Sequence, residues 1–185
     1  DGGGIKGIIP AYQLVKLEEE LEGRISDHFD LIAGTSTGAI LAAGLSSGYT
    51  ARELLDLYLN EGKNIFKSSF KQKIKSVSGL IGAKYADGRF EKSLRKYFGK
   101  CRLKDLNTDF LAVTYNMTDD KPRFFSTSGE PEYDVADVVR ASSAAPTYFN
   151  PVEIEGKKYI DGGVVSNNPA MCAYAEAKNL YKTKA

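Results

Sequence analysis

Residues 29–47 read FDLIAGTSTGAILAAGLSS and decide the fold of this chain. The apolar run 29–33 ends at a glycine, which predicts a short buried strand followed by a tight turn. Residues 37–47 are small and apolar over a helical length, so they predict a helix that begins directly after this turn. The GTSTG pentapeptide at 34–38 joins the two elements and matches the GxSxG pattern. A GxSxG sequence between a strand and a helix indicates a nucleophile elbow, and Ser36 is its candidate nucleophile.

The residues on either side of Ser36 suit such an elbow. Gly34 and Gly38 lack the Cβ atoms that would crowd a strained backbone and the neighbouring strand. The helix that follows also directs its positive end at the serine. A serine in an ordinary βα turn is the alternative interpretation, and the strand and helix around the pentapeptide favour the elbow over it.

Strands and helices alternate along the rest of the chain. The patterns predict helices over 8–22, 50–60, 135–143 and 169–181, and strands over 110–115, 123–127 and 158–160. Thr50 and Glu53 form a capping box that opens the second of these helices. The alternation predicts an α/β domain with a largely parallel sheet.

The composition excludes several classes of protein. The length of 185 residues favours one compact domain. The chain carries 25 Lys+Arg and 24 Asp+Glu, and this formal net charge of +1 disfavours a general nucleic-acid binder. The longest apolar runs, such as 39–45, are far shorter than the roughly 20 residues that cross a bilayer. Cys101 and Cys172 lie far apart without a CxxC spacing, so we expect free thiols. We expect a soluble or peripheral membrane protein and slightly favour the cytoplasm.

Ser36 needs a base, since a serine hydroxyl is a weak nucleophile at neutral pH. His28 is the single histidine, and it lies eight residues before Ser36 at the start of the same predicted strand. A strand rises about 3.3 Å per residue, so the two side chains belong near opposite ends of the sheet. The Asp161-Gly162-Gly163 sequence ends another predicted strand, and its glycines let a partner approach closely. We therefore expect Asp161 to accept the Ser36 proton directly, in a dyad that suits an ester better than an amide.

The glycines at the start of the chain form a third candidate site. Residues 1–7 read DGGGIKG, and consecutive glycines before a helix expose backbone N–H groups that attract an anion, such as the oxyanion of a tetrahedral intermediate. Gly2, Gly4 and Gly7 also satisfy GxGxxG, so a non-catalytic lipid- or nucleotide-binding module that uses this loop is the alternative function. The predicted strand 29–33 ends without the carboxylate that a Rossmann site requires. Ester hydrolysis explains all three sites, whereas a nucleotide site explains only this loop.

These motifs resemble those of the patatin-like phospholipase family. The chain matches its three signatures in order: DGGGIKG at 1–7, GTSTG at 34–38 and DGG at 161–163. The segments ASSAAPTYF at 141–149 and DGGVVSNNP at 161–169 also look like family segments that flank the active site. The resemblance implies a three-layer α/β/α sandwich with a mostly parallel central sheet. It also implies a lipid acyl hydrolase with a serine–aspartate dyad, no metal in the catalytic step and no cofactor.

The same resemblance assigns roles to individual residues. It carries Ser36 over as the nucleophile and Asp161 as the proton acceptor. The oxyanion hole that it implies is formed by the backbone of Gly2, Gly3 and Gly4. The amide of Thr37, directly after the nucleophile, adds a donor by the geometry of an elbow. Family members carry a strand directly before the glycine loop, so we expect residues 1–185 to be a single patatin-like domain, as a fragment that lacks this N-terminal strand.

Residues 62–84 contain six lysines and no acidic residue, interleaved with apolar side chains. One interpretation is a membrane-docking surface or a mobile lid over the acyl site, because basic side chains beside apolar ones favour anionic lipid interfaces. A solvated, lysine-bearing connection is the simpler interpretation, and we favour it. The lysines assigned to membrane contact are Lys63, Lys67, Lys71, Lys73 and Lys75. We expect a lipid substrate as the partner and no nucleic acid.

Four other polar residues lie near these motifs. Ser142 and Ser143 end a predicted helix, so a packing or helix-end role is favoured over a nucleophilic one. Asn167 and Asn168 are candidates to orient the Asp161 turn, and a helix cap is the simpler role for Asn168.

Overall fold

Five strands form one sheet in the computed structural model, which describes residues 1–60, 62 and 79–182. The strands are β1 (Leu31–Thr35), β2 (Asp109–Asn116), β3 (Lys121–Ser126), β4 (Val152–Ile154) and β5 (Lys157–Asp161). Helices in the described part of the chain are α1 (Ile8–Leu21), α2 (Thr37–Ser46), α3 (Ala51–Asn60), α4 (Gly79–Phe98), α5 (Val135–Ser142) and α6 (Ala170–Tyr181). Short 3-10 turns span Gly4–Gly7, Ile25–Asp27, Leu103–Asp105 and Gly162–Val164.

Strand β2 lies at the centre of the sheet. One of its edges pairs antiparallel with β3 from Leu111 to Asn116. The other edge is shared, because its first five residues pair parallel with β1 and its last three pair antiparallel with β5. Since β1 runs with β2 and β5 runs against it, the carboxyl ends of β1 and β5 face each other along one edge of β2.

Helices cover both faces of the sheet. On one face, α2, α4 and α5 pack onto Phe110 and Ala112, which are fully buried. On the other face, Tyr181 at the end of α6 donates a hydrogen bond to the Asp109 carboxylate at 2.7 Å. Successive side chains of a strand point to opposite faces, so the side chains of Asp109 and Phe110 lie on opposite faces of the sheet. The sheet is therefore the middle layer, as the sequence predicts.

A second apolar cluster holds α1 and α3 against α2. It joins Leu41 and Leu45 of α2 to buried residues of α1 and α3, among them Val15 and Leu54. At the start of α3 the predicted capping box is formed. The Thr50 amide donates to Glu53 Oε2 at 2.8 Å, and the Glu53 amide donates to Thr50 Oγ1 at 3.2 Å. The apolar cluster thus fixes α2 against α1 and α3 through Leu41 and Leu45.

The predicted elements and the observed ones agree closely. The bounds of the five predicted helices lie within one residue of the observed ones, and β1 begins and ends two residues later than predicted. Helix α4 was not predicted, although Phe90, Leu94 and Phe98 form a buried stripe at helical spacing. Strand β4 was not predicted either, because its three residues are too few for a visible alternation.

The sheet is mixed rather than mostly parallel. In the described residues, one strand pair, β1–β2, is parallel, and the other three pairs are antiparallel. The physical reason is the length of the connections. Strands β2 and β3, and likewise β4 and β5, follow each other after very short turns, and parallel strands need a much longer crossover. The α/β class is nevertheless confirmed.

Three further predictions concern the two cysteines, membrane-spanning helices and the lysines assigned to membrane contact. Cys101 and Cys172 are free thiols, as expected. None of the described helices is long and apolar enough to cross a membrane. The lysines assigned to membrane contact lie outside the described residues, so that role stays a prediction. These are Lys63, Lys67, Lys71, Lys73 and Lys75.

Candidate active site

Ser36 occupies a sharp turn between β1 and α2. Its backbone has φ 56° and ψ −124°, a conformation that costs a non-glycine residue about 1–3 kcal/mol. The turn is tight because α2 packs directly onto β1. A Cβ atom at Gly34 would lie 2.2 Å from the carbonyl oxygen of Gly38, a distance that only glycine allows. The strained turn leaves the Ser36 side chain half-buried at the end of the sheet.

Asp161 ends β5 with its carboxylate against the Ser36 hydroxyl. The Ser36 hydroxyl donates to Asp161 Oδ2 at 2.6 Å, and the Gly163 amide donates to Oδ1 at 2.7 Å. Only 6% of Asp161 is exposed. Burial raises the pKa of Asp161 above that of an ordinary carboxyl group, while the hydrogen bonds from Ser36 and Gly163 act in the opposite direction. A raised pKa makes the carboxylate a stronger base toward the serine proton.

The sheet explains why two residues 125 positions apart meet. Thr35, directly before Ser36, pairs with Val113, and Asp161 pairs with the next residue of β2, Thr114. The ends of β1 and β5 therefore occupy neighbouring positions on one edge of β2. The predicted contact between Ser36 and Asp161 is present because the two strands run toward each other.

The glycine loop lies beside Ser36 and is anchored by Asn167. A Cβ atom at Gly2 would lie 3.2 Å from the Ser36 Cβ and 2.5 Å from Asn167 Oδ1. The Gly2 amide donates to the Asn167 carbonyl at 3.1 Å, and the Asn167 side chain donates back to the Gly2 carbonyl at 3.4 Å. The Gly2 amide is thus already bonded, which differs from the expectation that it serves the oxyanion hole. The Gly3 and Gly4 amides donate to no acceptor within the described residues.

Thr37 is the first residue of α2, so its amide lacks an acceptor within the helix. Its side chain is held by a buried tyrosine. The Thr37 hydroxyl is hydrogen-bonded to the Tyr58 hydroxyl, which also donates to the Thr37 carbonyl at 3.0 Å. Burial raises the pKa of Tyr58, so this hydroxyl stays protonated. Gly7 packs here, since a Cβ atom at that position would lie 2.5 Å from Thr37 Oγ1. The amino end of α2 therefore has a fixed position beside Ser36.

The remaining motif glycines also lie at close contacts. An added Cβ atom at each of them would approach a nearby polar atom. At Gly38 it would lie 2.7 Å from the Asp1 carbonyl oxygen, at Gly162 2.2 Å from the Val113 carbonyl oxygen, and at Gly163 3.0 Å from Asp161 Oδ1. The signatures thus mark places where backbone segments around the dyad approach each other.

Two supporting contacts come from the segment 141–149, which resembles a family segment beside the active site and in which Ser142 was expected to have a packing or helix-end role. The Ser36 amide donates to Ser142 Oγ at 3.0 Å, and the Asp161 amide donates to the Ala144 carbonyl at 3.1 Å. The position of Ser142 at a helix end is confirmed. Its contact with the Ser36 backbone was not predicted, because no local pattern indicates which side chain accepts the Ser36 amide.

The other candidate residues take simpler roles. His28 is exposed before β1, at the end opposite to Ser36, and it packs near Gly23. It is not in reach of Ser36, as predicted. Asn168 caps α6, since its side-chain oxygen accepts the Ala170 amide at 2.9 Å. Within residues 1–60, 62 and 79–182, no group of three or more His, Cys, Asp or Glu side chains is arranged to hold a metal ion.

Ser36 thus lies in a strained turn after β1 of an α/β fold, is hydrogen-bonded to the buried Asp161, and has the glycine loop beside it. The model of the family described as patatin-like phospholipase matches residues 1–174. The chain belongs to the patatin-like phospholipase family.

Individual relatives agree with this assignment. Patatin-like protein 2 of Arabidopsis thaliana is 37% identical over 210 residues, which cover 97% of this chain and 51% of the relative. The cGAMP-activated phospholipase of Vibrio cholerae is 33% identical over 201 residues, which cover 95% of this chain and 56% of the relative. The chain thus spans about half the length of these curated relatives.

A solved structure shares the fold. VipD from Legionella pneumophila superposes with a TM-score of 0.58 at 17% sequence identity, over 89% of this chain and 45% of that chain. At this identity the likeness concerns the fold alone. It supports the layered α/β architecture independently of the motifs.

Proposed function

We propose that this protein is a serine esterase that hydrolyses acyl ester bonds of phospholipids or other polar acyl lipids through the Ser36–Asp161 dyad. The observation that carries the proposal is the 2.6 Å hydrogen bond from the Ser36 hydroxyl to a buried carboxylate. Membership of the patatin-like phospholipase family supports a lipid ester as the substrate class. As a chemical class, the enzyme is a carboxylic ester hydrolase of the phospholipase A type.

In the acylation step, Ser36 Oγ forms a bond to the carbonyl carbon of the ester while its proton passes to Asp161. The carbonyl electrons move onto the oxygen, which becomes an oxyanion. We assign its donors to the amides of Gly3, Gly4 and Thr37, and each such donor is typically worth about 2.7–4 kcal/mol in the transition state. The intermediate then collapses, the bond to the leaving alcohol breaks, and Asp161 returns its proton to that alcohol.

In the deacylation step, water attacks the acyl–Ser36 ester and Asp161 takes the proton of the water. Collapse of the second tetrahedral intermediate releases the free fatty acid, and the proton returns to Ser36 Oγ. One ester and one water thus become one acid and one alcohol. Throughout, the positive end of α2 favours the negative charge that develops beside it.

A non-catalytic lipid- or nucleotide-binding module is the alternative. It would use the glycine loop without needing the dyad. The anchoring of Gly2 by Asn167 beside Ser36 favours the enzyme, because it directs this loop to the same point as the serine and the aspartate. An independent binding module has no requirement for such a convergence.

The test compares the full-length wild-type protein with its Ser36→Ala variant. We expect the wild type to release fatty acid from phosphatidylcholine vesicles, to hydrolyse p-nitrophenyl butyrate and to be labelled by a fluorophosphonate probe. Ser36→Ala should lose labelling and at least about 10³-fold in turnover, as for nucleophiles of other serine hydrolases. Turnover that persists in Ser36→Ala would contradict the dyad. An unlabelled and inactive wild type would favour the binding module.

A further inference from the structure

Ser142 makes a buried hydrogen-bond bridge beneath the candidate nucleophile. It is the last residue of α5 and is fully buried. Its hydroxyl oxygen accepts the Ser36 amide at 3.0 Å and donates to the Val113 carbonyl of β2 at 2.7 Å. The bridge therefore connects the nucleophile backbone to the central strand of the sheet.

The bridge supplies a hydrogen-bond acceptor for the amide of Ser36. Ser36 adopts a strained conformation with φ 56°, and its amide lies just beyond the paired residues of β1 and β2, which end at Thr35. A buried amide without an acceptor costs about 1–3 kcal/mol, so the strained turn requires a partner at this point. The Ser142 hydroxyl is that partner. Its hydrogen bond offsets part of the cost of the strained conformation.

The same segment also holds the base. Two residues after Ser142, the Ala144 carbonyl accepts the Asp161 amide at 3.1 Å. Residues 142–144 thus bond to the backbone of both members of the dyad. Between them, Ser143 is buried, but its hydroxyl has no hydrogen-bond partner in the described part of the chain. Of these two adjacent buried serines, Ser142 alone bonds through its hydroxyl to the Ser36 backbone within the described residues, which makes Ser143 a matched control.

We propose that Ser142 is a positioning residue, whose hydroxyl holds the Ser36 backbone at the distance from Asp161 that proton transfer needs. The proposal rests on the proposed function, since it assigns Ser142 a part in that reaction. Ser142 does not contact the substrate. It acts through the strained turn, and a displacement of Ser36 by about 1 Å is enough to slow a reaction of this kind about 100-fold.

The experiment measures p-nitrophenyl butyrate hydrolysis by the full-length protein carrying Ser142→Ala, Ser142→Thr or the matched control Ser143→Ala. Titration to completion with the fluorophosphonate probe counts the active sites, so that kcat refers to folded enzyme. We expect Ser142→Ala to lower kcat about 10- to 100-fold, while its KM stays within about twofold of the wild-type KM. Ser143→Ala should keep kcat within about twofold, and Ser142→Thr, which retains the hydroxyl, should recover most of the lost rate.

The pH dependence provides a readout that lost packing alone does not change. The Ser36 hydroxyl acts to lower the Asp161 pKa, so a displaced Ser36 leaves that pKa higher. Since Asp161 must be ionised to accept a proton, the acidic limb of the kcat/KM profile should move to higher pH in Ser142→Ala. The limb should stay in place in Ser143→Ala.

The outcomes separate this proposal from the proposed function. An active wild type that depends on Ser36, together with equal kcat values for Ser142→Ala and Ser143→Ala, overturns the positioning role alone. A wild type without Ser36-dependent turnover overturns the proposed function and this inference with it. If Ser142→Ala does not fold, Ser142→Cys replaces it, because a thiol is a near-isosteric but weaker acceptor. Ser142→Cys should lose several-fold in kcat, and a wild-type rate would overturn the proposal.

Discussion

The two ends of the β1–β2 pair each hold a hydroxyl group against a carboxylate. At one end, Ser36 donates to Asp161 at 2.6 Å. At the other, Tyr181 donates to Asp109 at 2.7 Å, beside a polar cavity of about 540 Å³ that Asp30 also lines. By residue type and distance alone the two pairs are alike.

The surroundings distinguish the two pairs. Ser36 has a strained backbone at the start of a ten-residue helix, whereas Tyr181 ends a helix and lies at its negative end. Burial raises the pKa of Tyr181 most, and the neighbouring Asp109 raises it further. A raised pKa disfavours the deprotonated, nucleophilic form of this hydroxyl. Beside the serine, the Gly3 and Gly4 amides donate to no acceptor in the part of the chain that the structure describes. The comparison shows that a hydroxyl–carboxylate contact becomes a candidate active site only where the backbone is prepared to stabilise the charge that develops.

The largest expected effect comes from neutralising one carboxylate at each end. Asp161→Asn should lower kcat for p-nitrophenyl butyrate by roughly 10³- to 10⁴-fold, because an amide cannot accept the serine proton. Asp109→Asn should leave kcat within about twofold, because its partner is not part of the reaction. Steady-state kinetics of the two purified proteins checks this. Similar losses in both would remove the distinction between the ends.

A second comparison places a methyl group near each end of β1. Gly34→Ala should destabilise the protein by about 3 kcal/mol, because the new Cβ would lie 2.2 Å from a backbone carbonyl that cannot move away. At Gly23 the new Cβ would lie 3.0 Å from the tip of the exposed His28 side chain, which can turn aside. Gly23→Ala should therefore change the unfolding free energy by less than about 1 kcal/mol. Urea unfolding followed by circular dichroism measures both, and equal stabilities would disprove the tight approach of α2 to β1.

The smallest effect concerns the pH dependence of stability. Because burial raises the Asp161 pKa in the folded state, the folded protein binds this proton more tightly than the unfolded chain. The stability that protonation provides is present at low pH and is lost as the pH rises through the folded-state pKa. Asp161→Asn lacks the buried charge, so its stability relative to the wild type should be greater at pH 8 than at pH 4. Urea unfolding at the two pH values tests this, and an unchanged difference would argue against a raised pKa.

Much of the fold follows from local patterns in the sequence. The helix over 37–47 and the capping box at Thr50 are visible because helical spacing and cap chemistry depend on residues that are close in the chain. The parallel sheet was over-predicted, since the direction of β5 depends on a turn after β4, a strand too short to recognise. Helix α4 was missed although its apolar spacing is present in the sequence.

In the candidate site, too, local patterns predicted some features and not others. The residue types of the dyad are evident in the GTSTG and DGG sequences, and the exclusion of His28 follows from the length of a strand. The engagement of the Gly2 amide by Asn167 and the bridge from Ser142 to Ser36 were not predictable. Each depends on the exact placement of backbone atoms at a contact between two segments, and no local pattern encodes that placement.

The sequence by itself determined the α/β class, the family and the two side chains expected to carry the chemistry, because these depend on residue identity and on spacing within one element. Only the tertiary structure decided which glycine amide is already hydrogen-bonded and which serine accepts the Ser36 amide. It also decided which hydroxyl–carboxylate pair lies in a strained turn at the start of a helix. Those properties depend on the register of β1 and β5 along β2, and strand register is established by the packing of the whole domain.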